Sequence, residues 1–308
     1  MMLTKQRGVV IIVALFFLAL IATMSYWMMG RLERDTRRVT LLLRYAQAED
    51  YAQGSIAWAV EQLRDNLIHK KPKQLVDKLP MRSPIDEVNG YRIQSTITDM
   101  QARFNLNTLT DPKVQPQFKR LLRLLGLDEQ QIENLTLAIV DWITPAQIQN
   151  QFSQYYASMN PPYRAAHRLM FSTSELRLIK GMTPELVEQL LPNVCALPTA
   201  TPINFITASA PVLASLSETM TLDMGKSLQK LLANHAITSV EDFLNIDLVK
   251  NHKITTKDGL TTESSYFLVE THVTIDAQEV ILYSLLERSS VNGQPRVHFI
   301  WQSKGVLG

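Results

Sequence analysis

The chain has 308 residues, with 31 Lys plus Arg against 29 Asp plus Glu and a net charge of +2. Hydrophobic residues make up 46% and charged residues 19%, which excludes wholesale disorder and, by bulk charge, both a strongly basic nucleic-acid binder and a highly acidic protein. A single cysteine, Cys195, excludes an internal disulfide and a multi-cysteine zinc site.

Lys5 and Arg7 precede an uncharged run from Gly8 to Gly30. Within it, Val9 to Met29 has only Thr23 and Ser25 as clearly polar members. At 1.5 Å per residue this run covers about 30 Å, the thickness of a bilayer core. It is longer than the roughly 7–15 apolar residues of a cleaved secretory signal, and no A-x-A site follows it, so a retained membrane helix is expected. Arg31, Arg34, Arg37 and Arg38 come next, diluted by Glu33 and Asp35. A raw count of basic residues leans towards the C-terminal side of the span being cytoplasmic.

No proline occurs before Pro72, and apolar residues recur at Val39, Leu42, Ala46, Ile56, Val60, Leu63 and Leu67, mostly in steps of three and four. That spacing predicts one continuous amphipathic helix from about Val9 to Leu67, roughly 90 Å long. Half of it would lie in the membrane and half would pack on a soluble body. Lys70, Lys71, Pro72 and Lys73 mark its end.

The turn-rich segment with Pro80, Pro84, Asn89 and Gly90 leads into Tyr91–Asp99, where alternation predicts a strand with one buried face. From Asp111 to Pro211, which holds ten of the fourteen prolines, the pattern is short helices between proline turns: 118–127, 129–142, 174–179 and 184–191. Further helical turns are predicted at 213–216, 228–233 and 241–244. At the C-terminus, 265–275, 279–289 and 296–302 read as a three-stranded meander, with turn signals at Asp276-Ala277-Gln278 and Asn292-Gly293-Gln294. The sum is an α+β chain: a long N-terminal helix packed on a small antiparallel sheet, interrupted by a large all-α insertion.

Motifs of catalysis are scarce. There is no P-loop, G-x-S-x-G, H-E-x-x-H, C-x-x-C or G-x-G-x-x-G pattern. The histidines, His69, His167, His235, His252, His272 and His298, are scattered, and none pairs with another at i+3 or i+4. Cys195, in an apolar setting, reads as a small buried hydrophobe. No catalytic residue, and no enzyme, is expected. The run from Ser174 to Leu191 resembles a helix-hairpin-helix element around Gly181. Its few basic residues, Arg177 and Lys180, stand against Glu175, Glu185 and Glu188, which favours packing over DNA binding. The rival reading is a single-span membrane protein whose hairpin region grips DNA in an uptake machine.

Several motifs together resemble the minor pseudopilin K family of type II secretion systems. Lys5-Gln6-Arg7-Gly8 before Val9 is similar to a prepilin peptidase site, cut between Gly8 and Val9. Val13 stands where most pseudopilins carry a glutamate, a residue the K subunit lacks. Asp99 to Asn107 resembles a family stretch ending in R-F-N-L-N, with Ala102 where glycine is common. Asp141-Trp142, Pro162-Tyr163, Glu175-Leu176, Lys180-Gly181-Met182-Thr183, and Ile203-Asn204 through Thr207-Ala208 follow in the family's order.

The resemblance implies a pilin-like fold. Its parts would be a leader at 1–8, the long helix at 9–70 with the membrane span at 9–29, the first part of the pilin-like domain at 71–100, the inserted helical domain at 101–250 and the C-terminal strands at 251–308. It implies a methylated mature N-terminus and a helix surface, including Val10, Ile11, Ile12, Phe16, Phe17 and Leu20, that serves both membrane and bundle. The implied partners are the minor pseudopilins I and J, the major pseudopilin, the inner-membrane assembly platform and the prepilin peptidase, with no nucleic acid. The implied place is the inner membrane, N-terminus in the cytoplasm and body in the periplasm, at the pseudopilus tip.

The family also implies calcium, held by an acidic loop after Asp-Trp-Ile-Asp. Here Thr144 replaces that second aspartate, and no Asp or Glu lies between Asp141 and Glu175. His167 and Ile206 stand where asparagine is usual. Gln147, Gln149, Asn150, Gln151 and Gln154 offer only neutral oxygens, and a remote carboxylate such as Glu175 or Asp223 would have to supply the charge. No bound cofactor is expected.

Overall fold

The computed structural model describes residues 6–68, 79–148, 150–234, 237–254, 259–276 and 278–305. Two compact units divide the chain, 1–51 and 52–308. The Lys70–Lys73 helix terminator, His69, His235, Gln149 and Ala277 lie outside the described residues.

Helix α1 runs over Gln6–Ile68. No proline interrupts it and glycines are sparse, so the backbone ladder continues where the side chains change character. In the second unit its inward face is Ala52, Ile56, Ala59 and Leu63, all buried. Spaced at steps of four, three and four, they form one stripe. Val39, Leu42 and Ala46, which periodicity alone places on a packing stripe, are instead exposed. The stripe is built half from alanine because the helix lies close on the sheet. Ser55 Oγ is 2.6 Å from Ser95 Oγ, which is 2.8 Å from Thr271 Oγ1. Burying Ile56 and Leu63 contributes about 1.5–3 kcal/mol each.

Strands β1 (Met81–Arg82) and β2 (Asp86–Val88) both pair antiparallel with β3 (Tyr91–Asp99). Asn89 (φ 52°) and Gly90 (φ 83°) make the tight β2–β3 turn, a left-handed pair that Asn-Gly adopts at low cost. In β3 the odd positions, Tyr91, Ile93, Ser95, Ile97 and Asp99, are buried, as the alternation predicts.

The chain then leaves the sheet through β4 (Phe104–Asn105) and a 3-10 turn at Leu106–Thr110. Helices α2 (Gln115–Leu124) and α3 (Glu129–Ile143) follow, the second opened by an Asp128–Gln131 capping box. Next come α4 (Ser153–Ala157), a 3-10 turn over Thr173–Leu178 where a helix is expected, and α5 (Pro184–Leu190). Two-residue strands β5 (Val194–Cys195) and β6 (Ile203–Asn204) follow. After them lie α6 (Ala210–Ser215), α7 (Leu222–Asn234), α8 (Val240–Leu244) and α9 (Asp247–Asn251). β7 (Leu260–Thr261) pairs parallel with β6, as β5 does with β4. These short parallel pairs and α9 carry no periodic signal and are absent from the sequence reading. The helical region has its own apolar core around Phe104, Phe118, Leu121, Ile139, Trp142, Tyr156, Leu213 and Phe243.

β8 (Tyr266–Ile275), β9 (Gln278–Val291) and β10 (Gln294–Lys304) complete the sheet as the expected meander. All pairings are antiparallel, in the order β1-β3-β8-β9-β10. Asn292 (φ 53°) and Gly293 (φ 76°) form the β9–β10 turn. One face of the sheet receives the second half of α1. The other carries Tyr266, Leu268, Tyr283 and Leu285, packed with Met100, Cys195 and Leu197 from the insertion.

Candidate functional site

The expected peptidase bond, Gly8–Val9, lies within α1 as described from Gln6, and Lys5 of that site lies outside the described residues. A protease needs an extended backbone at the bond it cuts, so Gly8–Val9 must leave the helix first. Glycine weakens a helix by about 1 kcal/mol relative to alanine, which lowers the cost of opening it at Gly8. Beyond the bond, Val9, Val10, Ile11, Ile12, Val13, Phe16, Phe17 and Leu20 are 39–68% exposed. Successive residues are 100° apart on a helix, so these side chains surround the axis rather than forming one stripe. The helix is long and apolar enough to cross a membrane. At Val13 no carboxylate is present to meet an amine.

The Asp99–Asn107 stretch has the opposite character: its polar groups are used internally, at the neck where the insertion leaves the sheet. Asp99 is buried at the end of β3. Its Oδ2 accepts from Thr207 Oγ1 (2.6 Å), Ser264 Oγ (2.7 Å) and Asn204 Nδ2 (3.0 Å), and its Oδ1 from Gln101 N (2.8 Å). Burial raises its pKa, and the four hydrogen bonds oppose that rise. Gln101 donates to Pro202 O and accepts from Ser265 N and Tyr266 N. Both crossings of the insertion, out after Asp99 and back at Ser264–Tyr266, are thereby tied to one carboxylate and one amide.

Downstream, Arg103 donates to Leu191 O and Phe104 stacks on Phe118 with ring centroids 5.3 Å apart. Asn105 accepts from Asn107 N and Leu197 N and donates to Thr199 O. Asn107 donates to Met170 O and Leu197 O and accepts from Met170 N. The two asparagines thus replace strand partners for two separate loops, around Met170 and around Leu197–Thr199. Sequence reading marks this stretch but not its role. A buried polar residue on the apolar side of an alternating strand, as at Asp99, is the signal that was available.

The hairpin around Gly181 packs inward. Leu176, Ile179, Val187 and Leu190 join the helical core, and a Cβ at Gly181 (φ 85°) would lie 3.3 Å from Leu135 Cδ2. Lys180 Nζ sits over the rings of Phe152 (4.6 Å) and Tyr155 (5.0 Å), which occupies the hairpin's turn cation within the fold. Cys195 is buried and its thiol is pushed up to about 12 by burial, so it is an inert packing residue.

The residues present do not fit the calcium site that the resemblance implies. Asp141 is buried; Oδ1 accepts from Gln151 N at 2.6 Å, and among the described residues Oδ2 has no hydrogen-bond partner. Glu175 does fold in nearby, but Oε2 accepts from Trp142 Nε1, and Oε1 from Phe171 N and Arg168 Nη1. Arg168 thus neutralises the second carboxylate. Asp223 is exposed and pairs with Lys226 on α7. Among the described residues no group of three His, Cys, Asp or Glu is placed to hold a metal ion. His167 takes a left-handed backbone (φ 49°) and its Nδ1 lies 3.0 Å from Thr144 O. That backbone suits asparagine, the usual family residue, and accepts histidine. Nothing comparable marks Ile206.

A family model described as type II secretion system protein K matches residues 102–199. The type II secretion system protein K of Pseudomonas aeruginosa is 31% identical over 95% of this chain and 91% of its own length. The chain belongs to the type II secretion system protein K family. The proteins of the same name from Pectobacterium carotovorum and Klebsiella pneumoniae are each 29% identical, over 94% and 92% of this chain and 94% and 93% of their own lengths. A chain of the crystal structure of the GspK-GspI-GspJ complex from enterotoxigenic Escherichia coli superposes with a TM-score of 0.73. It has 24% identity and covers 87% of this chain and 99% of its own. The fold is therefore the pilin-like α+β fold with its helical insertion, and the protein is a minor pseudopilin of the type II secretion system.

Proposed function

We propose that this protein caps or initiates the pseudopilus tip, as a non-enzymatic subunit that works through surfaces. The observation that carries the reading is one continuous helix whose N-terminal part is exposed and apolar all round, with Val13 where a carboxylate would otherwise dock. A membrane helix and a bundle helix need the same apolar surface, so one segment serves both states. With valine at position 13 the helix buries no side-chain charge there, and it forgoes an ion pair with the amine of a neighbouring subunit. The helical insertion adds bulk to the body and would obstruct a further subunit.

In this reading the prepilin peptidase cuts between Gly8 and Val9 and Val9 is methylated. The N-terminus faces the cytoplasm and the body the periplasm, spanning the inner membrane once. Minor pseudopilins I and J are the direct partners, a reading supported by the solved relative being named as part of a GspK-GspI-GspJ complex. The major pseudopilin and the inner-membrane platform complete the assembly, no nucleic acid is involved, and the protein works without bound calcium.

Because Met100 N bonds Tyr266 O at 3.0 Å, the residues between them can be replaced by an Asn-Gly hairpin turn. Cells carrying that deletion are expected to lose secretion and to make pseudopili of altered length. Normal secretion with normal pseudopilus length would refute the cap.

A further inference from the structure

Just past the apolar run, α1 carries Arg31, Arg34, Arg37 and Arg38 against Glu33 and Asp35, a local net charge of +2. Trp27, Arg31, Arg34 and Arg38 follow at steps of four, three and four and share one face of the helix. The guanidinium of Arg31 stacks on the Trp27 ring, 5.5 Å from its centroid. Arg34 also turns back along the helix. Its Nη1 lies over Gly30, 3.8 Å from where a Cβ would stand. Glu33 and Asp35 are placed at i,i+4 spacings to Arg37 and Arg31, yet among the described residues no ion pair joins them to these arginines. At least two cations therefore point back towards the end of the apolar segment, where Tyr26 and Trp27 are exposed.

At 1.5 Å per residue, Arg31 stands roughly 3 Å, Arg34 roughly 8 Å and Arg38 roughly 14 Å beyond Met29. A headgroup layer is roughly 5–7 Å thick on each side of the core. Arginine side chains reach several ångströms, and here they reach in the direction that shortens the gap. Tyr and Trp at that level are the usual residues of the membrane interface. A planar guanidinium held by an aromatic ring offers phosphate a preorganised pair of donors.

We propose that this face, Trp27 with Arg31, Arg34 and Arg38, together with Arg37 beside it, binds the phosphate of anionic phospholipid headgroups in the leaflet at the C-terminal end of the span. The proposal rests on the span reading but not on which side of the membrane that end faces. It also accounts for a basic cluster on the side that a simple charge count would make cytoplasmic: the arginines hold lipid there rather than set orientation. When the helix is drawn out towards its own C-terminal side, they lead, so none of the four arginines crosses the apolar core. What the helix must give up is the headgroup contact, which makes the cluster a retention device acting until assembly.

The test uses the full chain in non-ionic detergent with equal phosphatidylglycerol and phosphatidylethanolamine, with bound lipid read by native mass spectrometry. The wild type is expected to retain phosphatidylglycerol in preference. The R31Q/R34Q/R37Q/R38Q variant is expected to lose at least tenfold of that preference, each arginine near a surface being worth about fivefold. All four side chains are exposed, so an unchanged melting curve of the body verifies folding. A variant with lysine at the four positions keeps the charge without the fork and should fall between. Equal retention of the two lipids by the wild type, or unchanged retention by the glutamine variant, overturns the proposal. So does salt-sensitive capture of an acidic helical segment in place of lipid. Because both leaflets can present the lipid, a reversed topology would refute the orientation given above and leave this result intact.

Discussion

Residues 9–45 and residues 99–107 are the two stretches that identify this chain, and they use their side chains in opposite ways. In the first, large apolar groups such as Phe16, Phe17 and Leu42 are exposed. In the second, Asp99, Gln101, Asn105 and Asn107 are buried and bonded to backbone or side chains from four other segments. The recognisable polar motif is thus the architecture of a neck, and the surface proposed to meet partners is a helix whose large apolar side chains are exposed. Motif residues in an assembly protein need not be the ones that meet a partner.

The contrast is broken most severely at Asp99. Asp99→Ala leaves three buried donors and a backbone N–H without an acceptor and is expected to cost about 3–5 kcal/mol in chemical denaturation of the full chain. Asp99→Asn should also destabilise, because its amide nitrogen faces donors. Asn107→Ala, which frees Met170 N, Met170 O and Leu197 O, is expected to cost about 2–4 kcal/mol in the same measurement. Phe16→Ala with Phe17→Ala should leave that stability unchanged and reduce recovery in sheared pseudopili. A large loss of body stability from the helix pair would erase the distinction.

A smaller effect sharpens it within the sheet. His272 lies between Glu270 (2.8 Å) and Glu279 (2.7 Å) on β8 and β9. Partial burial lowers its pKa, but hydrogen bonds and charge attraction from Glu279 and Glu270 outweigh that and raise it above the ordinary 6.5. A raised folded-state value means the imidazolium contributes stability that is fully present below pH 6.5 and is lost as pH rises through the folded value. Melting temperature should therefore fall as pH rises from 6.5 towards 8, and the Glu270→Gln, Glu279→Gln pair should flatten that slope. An unchanged slope in the pair would remove His272 as its source. The smallest expected change is with calcium. Millimolar calcium should move the melting temperature by no more than about 1 °C, whereas a micromolar site would add roughly 4 kcal/mol. A large rise abolished by Asp141→Ala would show that Asp141 Oδ2 finds a cation after all.

What could be read from sequence follows from what has a period. The strand at Tyr91–Asp99, the C-terminal meander and the helix through Ile68 all announce themselves by alternation or by steps of three and four. The apolar run from Val9 and the Gly8–Val9 junction are contiguous and equally legible. The neck is not: β4, β5, β6 and β7 are two residues each, too short for any pattern, and their partners lie about 60 to 90 residues apart. Asp99 is held by Thr207 and Ser264, 108 and 165 residues away, a convergence that only the closed chain displays. Burial of Ala52 and Ala59 likewise depends on how near that part of the helix comes to the sheet. Arg34's reach over Gly30 is a rotamer choice and leaves no mark in composition.

The proposed working surface of this protein begins at Val9, on a helix released from its leader. Intact-mass and N-terminal fragment analysis of the chain isolated from the inner membrane tests it most directly. The expected product is a chain lacking residues 1–8 and beginning with N-methylated Val9, with Gly8 replaced by a bulky residue leaving it uncut and absent from sheared pseudopili. A mature chain that still begins at Met1, or one cut within the body, would contradict it.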